Sequence, residues 1–171
     1  GLIMAILISP MIVPLIITAA GMFFFYARIN LVYTFTGVIL AHVALATPFV
    51  VITVTATLVG FDMNMVKAAQ SLGAKPMRTF FKVIMPLILP GIISGALFAF
   101  ITSFDEVVIV MFMASIDQLT IPKQMWAGIR QEISPVILCM ATCLVLLSIF
   151  LLTTVELLRR RSEKLRGIKA R

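Results

Sequence analysis

The chain has 171 residues, of which 61% are hydrophobic and 12% charged, and its mean hydropathy is +1.14. Average soluble chains carry about 25% charge, so these values exclude a water-soluble fold and make the bilayer the solvent for most of the chain. The net charge of +7 would suit a nucleic-acid binder, but no aromatic or base-reading residue stands among the charges of the C-terminal basic run, which argues against that class.

A spanning helix needs about 20 apolar residues to cross a hydrocarbon core of about 30 Å. Four stretches qualify, at 2–26, 35–61, 84–113 and 136–157, so the predicted fold is all-α, a polytopic transmembrane helical bundle. The first stretch is free of charge and lacks the basic start of a signal peptide. Pro10, Pro14 and Gly21 are expected to bend it, which membrane helices tolerate where neighbours re-satisfy the backbone; a flexing gate helix and an ordinary kinked span are both open readings. Arg28 and Asn30 mark a short connection over 27–34. In the second stretch, Gly37, Ala41, Ala44 and Pro48 form a small-residue stripe that lets another helix approach closely. His42 lies beside that stripe, either bonded to a neighbouring helix or part of a solute path.

The segment 62–82 is a short polar stretch between two long apolar ones, the internal part suited to water and a partner at once. Asp62 or Asn64 can cap a short helix, because a short side-chain oxygen accepts from the free N–H groups of a first turn. Val66, Ala69 and Leu72 recur at three-residue spacing and give that helix one apolar side. Gly73 is its expected stop, and Lys75-Pro76 breaks the chain beyond it, since the residue before a proline is pushed out of the α region. The spacing predicts a short helix lying across the mouth of the bundle.

Pro86 and Pro90 sit near the start of the third stretch and suggest a bend where the chain turns into the bilayer. Gly91, Ser94, Gly95, Phe98, Thr102, Asp105 and Glu106 fall on one helical face, which is not expected to face lipid. Asp105-Glu106 is the acidic pair within a span, and such residues usually face a bundle interior or a water-filled cavity. It can attract a cationic solute, close an outer gate or anchor the helix at the interface. The connection 114–134 carries Trp126, which suits a membrane interface. Pro135 opens the last stretch, Arg159-Arg160-Arg161 stops it, and 159–171 is read as a basic tail. Cys139 and Cys143 read as small core residues, with neither a zinc set nor a disulfide framework visible. Of the 14 Lys and Arg residues, eleven lie in 62–82 or in the tail, and only Arg28, Lys123 and Arg130 lie elsewhere. This bias places 62–82 and the tail in the cytoplasm.

Lys67-Ala68-Ala69, Gly73 and Val83-Ile84-Met85-Pro86 together resemble the EAA loop of the membrane-spanning permease subunits of bacterial ABC importers, the binding-protein-dependent inner membrane components. The resemblance covers nearly the whole chain to about Glu156. Ser103-Phe-Asp-Glu-Val-Val108, Leu119-Thr-Ile-Pro-Lys-Gln-Met125 and Gly128-Ile-Arg-Gln-Glu-Ile-Ser-Pro135 are similar to the spermidine/putrescine branch. The resemblance implies about six spans, of which these four would be the last. It implies that Lys67, Ala68, Ala69, Gly73, Ala74 and Pro86 belong to a cytoplasmic coupling helix and loop seated in the cleft of an ATPase. It also implies a second permease subunit, two cytoplasmic ATPase subunits that bind ATP and Mg, a periplasmic substrate-binding protein, and a bacterial inner-membrane location with the C-terminus cytoplasmic. The chain itself would then be non-catalytic and carry no cofactor, and no G-x-x-x-x-G-K-[ST] nucleotide loop is present. Lys67 departs from the family's usual Glu and places a positive charge where the helix dipole favours a negative one.

Asp105, Glu106, Thr102 and His42 are the candidate residues of a substrate path or gate. The alternative reading is a gradient-driven secondary carrier or channel that uses Asp105 and Glu106 as an ion relay, although no inverted repeat supports it. A structural membrane scaffold would explain the hydrophobicity but not the spaced loop.

Overall fold

The computed structural model describes residues 1–131 and 134–165, and every regular element among them is helical. In chain order these are α1 (Leu2–Ile12), α2 (Leu15–Arg28), α3 (Phe35–Val59), α4 (Asn64–Ser71), α5 (Pro76–Thr79), a π-turn (Phe80–Ile84), α6 (Met85–Phe104), α7 (Val108–Met113), α8 (Ile121–Gln131) and α9 (Pro135–Leu165). By length and composition, Phe35–Val59, Pro76–Phe104 and Pro135–Thr154 can each cross a membrane. The α1–α2 pair makes up to four if it counts as one broken span.

The predicted single helix over 2–26 is two helices that meet at 110°. Pro14 is the cause. It has no N–H to continue α1, and it holds Val13 in extended backbone at φ −75° and ψ 136°. The Pro14 carbonyl then starts α2 by accepting from the N–H groups of Ile17 at 2.9 Å and Thr18 at 3.1 Å. Helix α1 runs on through Pro10 and α2 through Gly21, so one of the three expected bend points breaks the chain and the other two do not.

The main pairing is α3 against α6. Gly91 and Gly95 are buried there, and a Cβ at either would collide with the hydroxyl of Thr57 or Thr53 respectively. A Cβ at Gly95 would also stand 3.0 Å from the Cα of Val50, so only glycine lets the two backbones come this close. On the other side of α3, Ala41 and Leu45 form a core with Ala19 of α2 and Ile109 and Met113 of α7.

The predicted span 84–113 also divides. Helix α6 ends at Phe104, and α7 starts afresh because the Glu106 carboxylate accepts from the Ile109 N–H at 2.7 Å, capping a new first turn. The loops around α7 are tied through backbone groups. The Tyr33 N–H donates to the Met113 carbonyl at 2.9 Å, the Gln118 amide donates to the Tyr33 carbonyl at 3.1 Å, and the Lys123 ammonium donates to the Ala114 carbonyl at 3.3 Å.

Helix α9 starts beside α8 and passes along α6, but it buries little. Val136, Leu146 and Phe150 are each more than 60% exposed. Cys139 and Cys143 are exposed as well, which corrects their reading as core residues: among the described residues nothing buries that side of α9. The backbone helix continues past Arg159 to Leu165, and 166–171 of the predicted tail lies outside the described residues.

Candidate functional site

The coupling segment is built by short-range rules. Asp62 Oδ1 accepts from the Asn64 N–H at 2.9 Å and starts α4. After Ser71 the chain turns on Gly73, whose φ of +81° is left-handed backbone that favours glycine. The Leu72 N–H reaches the Ala68 carbonyl at 3.1 Å, the Gly73 N–H reaches Gln70 at 2.9 Å, and the Ala74 N–H reaches Ala69 at 3.0 Å. These bonds close the helix without any side chain. Lys67, Ala68 and Gly73 are exposed, while Ala69 and Ala74 are half-buried. Lys75 is extended at ψ 154°, as a residue before proline should be. Lys67, Ala68, Ala69, Gly73 and Ala74 therefore lie together on one short helix and its cap. Pro86 does not; it is the second residue of α6, on the far side of the π-turn.

The second group of candidate residues is split. Helix α6 ends before the acidic pair, so Asp105 and Glu106 leave the helical face assigned to them and point apart. Asp105 is exposed and borders a largely apolar groove of about 520 Å³ between α6, α8 and α9, with Phe104, Trp126, Ser148 and Leu152. Glu106 is 6% exposed and lines a cavity of about 540 Å³ with His42, Ser103, Phe100 and Thr120. Thr102 is half-buried and lines neither space.

His42 meets α6 through Ser103, with Nδ1 and the hydroxyl oxygen 2.8 Å apart, and its Nε2 is buried without a hydrogen-bond partner. Ser103 was not among the residues expected in the site. It stands 61 positions from His42, and no spacing rule joins residues on two different helices. Among the described residues, no group of three or more His, Cys, Asp or Glu could hold a metal ion. The cavity can take a small molecule with an apolar body and a polar end, since its walls are mostly aliphatic and aromatic and carry the polar groups of His42, Ser103, Glu106 and Thr120.

The family model for the binding-protein-dependent transport system inner membrane component matches residues 1–164. The chain belongs to that family. Its relatives include the spermidine/putrescine transport system permease protein PotC of Haemophilus influenzae, 29% identical over 163 residues, covering 95% of this chain and 62% of the relative. PotC of Escherichia coli is 29% identical over 164 residues, or 96% of this chain and 61% of the relative. The putrescine transport system permease protein PotI of Escherichia coli is 37% identical over 103 residues, or 60% of this chain and 37% of the relative. The chain thus spans at most 62% of the length of these relatives. For an inner membrane component the apolar exterior of α1, α3 and α9 is the surface expected against lipid or other subunits. The short helix α4, with Asn64, Lys67, Gln70 and Ser71 among its eight residues, is a part that lipid tails would not cover.

Proposed function

We propose that this chain is the permease subunit of an ATP-driven importer, that it forms part of the path for a polyamine, and that it couples to a separate ATPase through 62–86. The observation that carries this is the similarity to two kinds of polyamine permease, one of them along 95% of the chain. The partners are a second permease subunit, two ATPase subunits that bind ATP and Mg, and a periplasmic substrate-binding protein. In this reading 62–82 and the C-terminus face the cytoplasm, in line with the clustering of basic residues there.

Helix α4 is the ATPase contact. Its small residues Ala68 and Ala69 allow a cleft to close around it, and the Gly73 turn ends it without a bulky side chain. Glu106 and His42 border the solute path from the cavity side and Asp105 from the groove side; Thr102, near the end of α6, lines neither space. An acidic group near an apolar cavity suits an alkyl chain that carries an ammonium at its end.

The test is ATP hydrolysis by the reconstituted assembly as spermidine, putrescine, ferric iron, sulfate and phosphate are offered in turn. Stimulation by polyamines alone supports the reading; stimulation by iron or an anion overturns the substrate, and uptake that needs an ion gradient and no ATPase overturns the class. Gly73→Asp adds strain at a left-handed position and a carboxylate to the contact. It should separate ATP hydrolysis from uptake, lowering uptake by about tenfold at normal expression.

A further inference from the structure

Between α5 and α6 the helix is wound as a π-turn. The Met85 N–H reaches back five residues to the Phe80 carbonyl, so the turn Phe80–Ile84 holds one residue more than α geometry would. Two features flank it. Pro86 has no N–H to give the Lys82 carbonyl, and in α geometry its ring would crowd that carbonyl. On the other side Thr79 is 2% exposed, and its hydroxyl is buried with no hydrogen-bond partner. A buried unpaired hydroxyl is a standing penalty, so the observed winding carries a cost of its own.

We infer that this π-turn sets the rotational register between the coupling segment and α6, and that an α-wound register is its alternative state. The inference rests on the reading of α4 as the ATPase contact. Rewinding 80–84 as α-helix would turn everything before it by about 100° and move it by about 1.5 Å relative to α6. Phe80, now 39% exposed, would take the inward place of Thr79, and the unpaired hydroxyl would leave its burial. Each register therefore has one defect: the unpaired Thr79 hydroxyl in the observed one, the Pro86 ring against Lys82 in the other. Opposed defects of this kind bring two packings close in energy, which is what a switching element requires. Helices α4 and α5 both pack on the π-turn, so they would follow it as one piece. Thr79 and Pro86 act here as positioning residues and touch neither solute nor nucleotide.

The experiment uses the whole assembly in lipid nanodiscs, with spin labels on cysteines placed at Ser71 in α4 and Ser94 in α6, and with Cys139 and Cys143 replaced by serine. The unsubstituted register should give two label distances several ångströms apart, with ATP shifting their ratio. Pro86→Ala should favour the α-wound distance and lower uptake per ATP hydrolysed by about fivefold. Thr79→Val, which fills the same space without the hydroxyl, should hold the observed register and weaken the ATP-driven shift by about fivefold, while Thr79→Ser should behave as the parent. A single distance that neither nucleotide nor either substitution moves would overturn the inference. Should Pro86→Ala fail to assemble, the parent and Thr79→Val distances decide alone. Two registers that respond to Thr79→Val in an assembly whose uptake ignores ATP would uphold the hinge and reject the ATPase reading.

Discussion

Helices α6 and α9 are both apolar and long enough to span, yet they live in different surroundings. Helix α6 buries Ile88, Gly91 and Gly95 and lies backbone-close to α3, whereas α9 leaves Val136, Leu138, Leu146 and Phe150 largely exposed. Hydropathy does not separate them, because lipid tails are as apolar as leucine and give helices no hydrophobic reason to associate. What separates them is glycine at four-residue spacing facing threonine. A helix contact inside a membrane is thus specified by the residues that are small, and the large apolar ones only keep both helices in the bilayer.

Four substitutions, two of them combined in one cycle, test that contrast. Gly95→Leu should have the largest effect, since its Cβ alone meets the Thr53 hydroxyl and the Val50 backbone. A loss of about 1–3 kcal/mol from overpacking, read as a lower melting temperature of the purified permease in detergent, is expected. An unchanged melting temperature would mean that α3 and α6 do not pack as described. Ser103→Ala removes the partner of His42 at the other end of the same seam and should cost about 0.5–1 kcal/mol. In a double-mutant cycle with His42→Ala, the two losses should fail to add. Leu146→Ala on α9 should change stability by less than about 0.5 kcal/mol. A loss well above that in the assembled transporter, but not in the isolated chain, would show that another subunit covers α9.

The parts legible in the sequence were those governed by neighbours along the chain. Gly73 ending α4 and Pro76 following an extended Lys75 each depend on a few adjacent residues and are found where expected. Of the two candidate caps, Asp62 and Asn64, it is Asp62 that bonds the first N–H of the helix. The small-residue stripe of α3 was legible for the same reason: Gly37, Ala41 and Pro48 are buried, and Ala44 is half-buried. Where the reading failed, the deciding contact was distant or the competing local rules were equal. Pro10 and Pro14 carry the same local signal, yet the chain breaks at Pro14 alone, with α1 packed on α3 and α2 on α7. Asp105 and Glu106 were placed on one face by assuming that the helix continued, while Glu106 itself ends that assumption by capping α7. The His42–Ser103 contact and the exposure of Cys139 and Cys143 depend on which helices are neighbours, which periodicity alone does not encode. The π-turn has one visible sign, Pro86, which the sequence marks both as a bend at the start of the third stretch and, by resemblance, as the end of the coupling loop; neither reading specifies a change of winding.

The threonines of the α3–α6 seam have a further consequence. The Thr53 hydroxyl donates to its own helix, at the Phe49 carbonyl at 2.8 Å and near the Val50 carbonyl at 3.1 Å, and the Thr57 hydroxyl donates to the Thr53 carbonyl at 2.9 Å. Neither hydroxyl depends on α6, so parting the helices there strands no polar group in lipid. At the opposite end the His42–Ser103 bond does cross the seam. The two rods thus share a pin at one end and a greased face along the rest of their contact, a layout that resists separation at the pin and lets the free ends swing.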